Sequence, residues 1–587
     1  MHRAAAVVAG IALAALTACQ PVRPRAAPRP KLVVLVVVDQ LPTWAFEHDR
    51  QFFTGGFARM LREGGHVIGA SLPYASPFTA VGHATIGTGT TPNVHGVFGN
   101  SWYRRADGRD VPAETDETAQ VWSVGPEEGG TLGPDDRASG AELRIDGTAD
   151  ALRAATGGKA HSVAVALKAR ASVFMTGRHP DLAIWYEPAA GGMTTSSAYA
   201  DAAPPWLVEH ARTHPASRFF TRVWTARDPV LLASATGTSD DETGEGSVHG
   251  LGRTFPHSLA ASDQPARAIL HTPFGDELVA DAALAALDAM DLGADDIPDL
   301  LAVSFSAHDY AGHLWGPTSW EQLELTFALD RELGLLFEEL DRRVGPDGWA
   351  CVLTSDHGAT PLVERSFTIG ARRIRSAELV DAVEAAFVAA AGPAPRRTSA
   401  TPASDGPKDA PSPMTRAADP GVGHWVAKEV SSSVYLDEAA LALPDAVRDA
   451  ALADATRRLL AIDGVAAAGR SDRIAGHCET RKGLDQAICL SMVPNAAGEL
   501  YVMPVAGSLI SDFNSGTHHD APFDDNRLVP ILVRAPGLAR RIGTGDLLQV
   551  APTIAALLGV PPPPGATEAP LFGIAAQAST VPAAPPP

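Results

Sequence analysis

The chain has 587 residues, with 47 Lys and Arg against 68 Asp and Glu, a net charge of -21 and four cysteines. That length suits one large core with insertions, or two to three domains. So acidic a surface repels nucleic acid and anionic lipid, so no nucleic-acid binding is expected and an anionic substrate needs a local positive site.

MHRAAAVVAGIALAALTACQ has a basic start, a short apolar run and then small residues, which is the layout of a secretory signal over residues 1–18. The apolar run is too short to span a bilayer. Leu16-Thr17-Ala18-Cys19 resembles the lipobox of bacterial lipoproteins, and Gln20 behind it resembles the outer-membrane sorting pattern. These resemblances imply a periplasmic protein, lipid-anchored to the outer membrane at Cys19, with a Pro/Ala-rich linker over 19–30.

KLVVLVVVDQ (31–40) reads as a buried parallel strand, because the run is short, lacks alternation and stops abruptly. DLLAVSFSAHD (299–309), WACVLTSDHG (349–358) and LVPILVRAPG (528–537) read the same way. Helical patterns lie between them, as in 277–290 and 326–344. This alternation predicts an α/β fold with a mostly parallel central sheet and helices on both faces. Residues 180–295 and 365–505 are expected to build cap-like insertions around the site. The polar segment 237–252 and the Pro/Ser/Ala-rich segment 391–421 cannot pack a core and read as mobile surface loops, and the tail 571–587 reads similarly. In an exported chain Cys478 and Cys489 could close a small disulfide loop, while Cys351, inside an apolar run, reads as a buried thiol.

Ligands of open parallel sheets bind outside the carboxyl ends of the strands. Three of the runs end there in an acid: Asp39, Asp309, and Asp356 with His357. One such Asp is commonly a turn residue or helix cap; three in one sheet point to metal binding. Asp309 and His313 are four apart and share one face of a helical turn, and SGTHHDAPF adds His518 and His519. Carboxylate and imidazole donors suit zinc, and these residues form two groups, enough for two ions. SPFTAVGHATIGTGTTPNVHGVFGN (76–100) places Thr79 at the start of a helix-like run, where it caps the helix or, beside a metal, serves as a nucleophile. In LKARASV (167–173) Lys168 and Arg170 alternate along an apolar stretch, which predicts a strand with both cations on one side.

Taken together, DQ after the first strand, TAVGHATIGTGTTPNVHGVFGN, DYAGH, TSDHG and GTHHDAPF resemble the successive motifs of the alkaline phosphatase superfamily. LKARASV is similar to the Lys-x-Arg element of the phosphate-irrepressible periplasmic alkaline phosphatases with a threonine nucleophile. The resemblance runs from about Lys31 to residue 560. It implies an alkaline-phosphatase-like core holding two zinc ions, one on Asp309, His313 and His519, the other on Asp39, Asp356 and His357 with Thr79. His519 is chosen over His518 by the family pattern. Asn100, Lys168 and Arg170 then grip the phosphate, Thr79 attacks it, and His83, His95 and His308 stay structural. The glycines and the start of the helix behind Thr79 are expected to bring free N–H groups close to the phosphoryl oxygens.

The implied activity is hydrolysis of phosphate monoesters by a monomer, through a phosphothreonine. Two cations and an amide suit a group with two charged oxygens, which a monoester has and a diester lacks. The alternatives are a phosphodiesterase or nucleotide pyrophosphatase on the same core, and a non-enzymatic lipoprotein that binds zinc or phosphate. A sulfatase is disfavoured, because those enzymes convert a Cys or Ser where this chain has Thr79.

Overall fold

A computed structural model describes residues 29–126, 131–133, 136–395 and 423–575. The signal-like segment with Cys19, most of the 391–421 stretch and most of the proline-rich tail lie outside them. Among the described residues no helix is long and apolar enough to cross a membrane.

The molecule is organised by β1 (Leu32–Val38), whose seven residues are all buried. Its side chains alternate between two cores. Val34, Val36 and Val38 pack with Leu278 and Leu329, while Val33, Leu35 and Val37 pack with Val81 and Ile554. A strand covered by helices on both faces has no polar side to show, which is why the run lacks alternation. Each such Val or Leu gains about 1.5–3 kcal/mol on leaving water.

Eight further strands complete the main sheet: β2 (Gly65–Ser71), β3 (Ser162–Ala166), β4 (Leu182–Glu187), β5 (Gly192–Thr194), β6 (Asp299–Phe305), β7 (Trp349–Thr354), β8 (Leu528–Arg534) and β9 (Arg541–Gly543). They lie in the order β9-β2-β8-β7-β1-β6-β3-β4-β5. From β7 to β4 the neighbours are all parallel. Val38 pairs with Phe305, Val37 with Thr354, and Ser304 with Ala166, so four adjacent strands finish at one level.

The helices that matter here are α1 (Thr79–Thr88), α2 (Ala169–Phe174), α3 (Pro273–Ala289), α4 (Ala307–Trp315), α5 (Trp320–Arg343) and α6 (Val550–Leu558).

Four expectations change. β8 runs antiparallel to both neighbours, because a strand buried on both faces has the same composition in either direction. Lys168 and Arg170 do not share a strand: β3 ends at Ala166, Lys168 precedes α2 in an extended conformation, and Arg170 stands in its first turn. The apolar residues of that stretch, Ala171, Val173 and Phe174, are the buried side of a six-residue helix. The interval 180–295 supplies β4 and β5 to the main sheet and α3 to the core, and 195–272 packs Leu207, Phe219, Trp224 and Ile269 into that core as well. Segment 237–252 is packed rather than free: Thr238, Glu245, Gly246 and Leu251 are buried, and Gly246 donates its N–H to Leu314 O at 2.8 Å.

The described residues of 365–505 form a separate lobe with an antiparallel four-stranded sheet, backed by helices at Ser376–Ala391 and Asp445–Leu460. Cys478 and Cys489 are joined there, while Cys351 is a buried free thiol in β7 that burial pushes up to about 12. The lobe touches the Thr79 loop at Ala75, whose N–H donates to Ser491 Oγ at 2.8 Å. It touches the Asn100 loop at Ser101, whose carbonyl accepts from Ser431 Oγ at 2.8 Å.

Candidate active site

Asp39 follows β1, Asp309 lies in the first turn of α4 behind β6, and Asp356 and His357 follow β7, so strand register brings all four to one place. Asp39, Asp356 and His357 are entirely buried, and Asp309 nearly so. Ligand atoms of Asp39, Asp356 and His357 lie within 4.8 Å of one another, as do those of Asp309, His357 and His519. The His357 ring stands between the groups, stacked on His519 at 3.6 Å between centroids. His313 reaches Asp309 Oδ1 at 3.2 Å, and its ring lies 5.0 Å from that of His519. His518 lies one layer out, against His313 and Phe513.

The three histidines are oriented alike. His313 Nδ1 donates to Thr517 O at 2.7 Å, His357 Nδ1 to Gly358 O at 2.9 Å, and His519 Nδ1 to Pro77 O at 2.5 Å. Each backbone carbonyl holds the proton on Nδ1 and leaves the Nε2 lone pair facing carboxylates, which is how a metal-ligating imidazole is prepared. Burial, helped by His357 and His313, holds His519 well below its ordinary value, and burial also lowers His357, so both present neutral imidazoles. His313 moves up despite its burial, because Asp309 favours its charged form.

The carboxylates diverge. Burial, then Asp309 and Asp356, hold Asp39 well above the usual carboxylate range. Burial pushes Asp309 the same way, but His313 and Lys168 outweigh it and keep it well below; His357 and His83 do the same for Asp356. Asp39 Oδ1 is buried without a hydrogen-bond partner, and Asp356 Oδ2 faces His83 Nδ1 at 3.2 Å and His357 Nε2 at 3.3 Å. Buried carboxylate oxygens short of donors and facing imidazole nitrogens form a donor set that fits a divalent cation. Among the described residues the other cluster of this kind, Asp146, Asp150 and His179, is exposed or half-buried, and Asp150 is already committed to the N–H groups of Gly147, Arg178 and His179.

Thr79 is the first residue of α1 and is almost fully buried, with Oγ1 3.3 Å from His357 Nε2. The helix behind it runs against the loop after β7 and against α2: a Cβ at Gly82 would stand 2.3 Å from Asp356 O, and one at Gly87 2.3 Å from Phe174 O. These glycines therefore make room for the protein's own backbone, not for a phosphate. The N–H of Ala80, expected to be free, donates to Asn100 Oδ1 at 2.9 Å. That bond fixes the Asn100 amide and leaves its NH2 end to donate elsewhere.

Lys168 Nζ lies 2.7 Å from Asp39 Oδ2, also pairs with Asp309, and sits 4.9 Å from the centre of the Tyr310 ring. The two carboxylates raise its pKa in spite of burial. Arg170 pairs at 3.1 Å with Glu114, a buried acid that nothing in the sequence marked. His83, His95 and His308 hold structure. His83 Nδ1 lies 2.9 Å from Thr79 O and 3.2 Å from Asp356 Oδ2, His95 Nε2 3.2 Å from Thr85 Oγ1, and His308 Nδ1 3.1 Å from Asp39 O. His83 and His308 thus brace the Thr79 turn and the Asp39 turn without a place in either candidate ligand group.

The chain is 34% identical to alkaline phosphatase PafA of Elizabethkingia meningoseptica over 339 residues, 57% of this chain and 61% of that protein. That match therefore spans about three fifths of the relative's length. It is 28% identical to alkaline phosphatase PhoK of Sphingomonas sp over 556 residues, 92% of this chain and 90% of that one. The crystal structure of wild-type PafA superposes with a TM-score of 0.80 at 26% identity, over 94% of this chain and all of that one. Residues 33–411 match the model of the type I phosphodiesterase / nucleotide pyrophosphatase family. With its ligand-bearing strand ends inside that span, except for His519, the chain belongs to the type I phosphodiesterase / nucleotide pyrophosphatase family and carries the fold of an alkaline phosphatase of the PafA kind.

Proposed function

We propose that the protein hydrolyses phosphate monoesters through a covalent phosphothreonine at Thr79, on a pair of zinc ions. The observation that carries this reading is the Thr79 hydroxyl standing 3.3 Å from His357 Nε2, beside buried carboxylates and imidazoles that form two donor groups. Asp309, His313 and His519 would hold one ion, and Asp39, Asp356 and His357, with Thr79, the other. What bound zinc supplies here is a lowered hydroxyl pKa and positive charge against the attacked phosphoryl group and the leaving oxygen.

The chain's own residues do the rest. Thr79 Oγ forms a bond to phosphorus as the bond to the ester oxygen breaks, and water later splits the phosphothreonine to regenerate the hydroxyl. The Asn100 NH2 group, its carbonyl end fixed by Ala80, donates to a phosphoryl oxygen. Lys168 and Arg170 supply the positive charge that a chain of net charge -21 otherwise lacks for drawing in a dianion. His83 steadies the carbonyl of Thr79 and the carboxylate of Asp356 at once, so nucleophile and ligand keep their spacing.

A phosphodiesterase on the same core is the competing reading. It is favoured by the engagement of both cations with carboxylates, Lys168 with Asp39 and Asp309, and Arg170 with Glu114. The deciding experiment compares kcat/KM for a monoester and a matched diester on purified, metal-analysed protein. Preference for the monoester is expected; preference for the diester replaces this reading with the other. The same proposal places the protein in the periplasm, lipid-anchored at Cys19. Cys19→Ser should move it from the membrane fraction to the soluble one, and retention in the membrane fraction would refute the anchor.

A further inference from the structure

Gln40 follows Asp39 directly and is buried completely. Its backbone φ is +63°, in the left-handed region that glycine enters freely and a side chain enters at a cost. Such strain persists where the surroundings over-determine it, and it gathers at functional sites. Here the surroundings are the two ligand groups themselves. The Gln40 N–H donates to Asp356 Oδ1 at 3.2 Å, and its side-chain Nε2 donates to Asp309 Oδ1 at 2.7 Å. One residue thus bonds to a carboxylate in each group while its neighbour Asp39 supplies a third.

The seat for this side chain is cut into α4. A Cβ at Gly312 would stand 2.0 Å from Gln40 Oε1, so the helix carrying Asp309 and His313 admits the amide only because residue 312 is glycine. The turn is pinned on its other sides as well. Leu41 N–H donates to Ser355 Oγ at 2.8 Å, and Asp39 N–H to Phe305 O at 3.0 Å. The strained turn therefore touches β6, α4, which carries Asp309 and His313, and the loop behind β7, which carries Asp356 and His357.

We propose that Gln40 is a positioning residue that ties the Asp309 carboxylate to that of Asp356 and so sets the distance between the two metal-ligand groups. This rests on the two-metal reading above. Partners of this kind typically change metal affinity or activity about 10-fold to 100-fold when removed.

The test compares wild type, Gln40→Gly, which suits the left-handed turn but lacks the amide, and Gln40→Met, which fills the seat but cannot donate. Zinc affinity is measured by competition with a chelator, zinc content by elemental analysis, and Tm on metal-free protein. The expected result is zinc affinity about 10-fold to 100-fold weaker in both variants, with the metal-free Tm of Gln40→Gly equal to wild type or higher. Wild-type affinity in either variant overturns the proposal, and so does a loss of metal-free Tm in Gln40→Gly that accounts for the weaker binding. If wild type itself binds no second equivalent of zinc, the two-metal reading falls instead, so the two failures are told apart.

Discussion

Asp39, Asp309 and Asp356 ride on the ends of adjacent parallel strands, and register alone brings them together. Asn100, Lys168 and Arg170 stand on irregular or short segments, each held by its own tether: Ala80 N–H, the pair Asp39 and Asp309, and Glu114. The first set is as stiff as the sheet and cannot shift without breaking a core of fully buried Val and Leu. The second is held by side-chain tethers outside the sheet, so its members can be removed one at a time with the fold intact. On the proposed reading, metal binding belongs to the architecture, and the handling of the substrate is laid over it.

The severest way to break that contrast is to strip the strand-end set. Chelation should abolish turnover and added zinc should restore it, since nucleophile and leaving group both depend on the ions; full activity in metal-free protein would show that the buried carboxylates serve some other purpose. Next comes Thr79→Ala, expected to lose about 1000-fold or more in kcat while keeping its metal, because six protein ligands remain. Zinc analysis beside single-turnover kinetics checks it, and an unchanged single turnover would remove Thr79 from the reaction. The smallest change concerns the tethered set. Lys168→Ala and Arg170→Ala should each cost about 30-fold to 1000-fold in kcat/KM on a monoester, and clearly less on a diester, whose neutral ester oxygen gives the cation less to hold. Of the two, Lys168→Ala should also disturb zinc content, since Lys168 pairs with two of the proposed ligand carboxylates, whereas Arg170 pairs with Glu114, which is not one of them. Measuring both singles and the double variant exposes their coupling.

The strand-end set is legible in the sequence because it has a local mark: a run of buried residues that halts at Asp, with His close behind. The family resemblance separates His519 from His518, a choice that residue type alone leaves open; in the structure it is His519 that stacks on His357. The features that leave no such mark are tertiary. The direction of β8 has no trace in a strand buried on both faces. A six-residue helix at 169–174 mimics a strand when read for alternation. Segment 237–252 looks free by composition, yet Gly246 is pinned to Leu314, one residue past His313. Glu114 and Gln40 are ordinary polar residues whose roles appear only once Arg170 and Asp309 stand beside them.

The central place of β1 has a consequence for the order of events during folding. Gln40 bonds to partners 269 and 316 residues further along the chain. The first strand to be made is thus among the last to be enclosed, because β6 and β7 flank it on either side. No amino-terminal fragment ending before residue 356 contains both carboxylates that Gln40 joins. Closing loops of that length is slow, and a strand as apolar as LVVLVVV stays exposed to wrong partners until it happens. The chain therefore spends its early life with its most aggregation-prone segment uncovered and its candidate ligand groups unbuilt, and on the two-metal reading metal can be captured in the native set only after the strand is sealed.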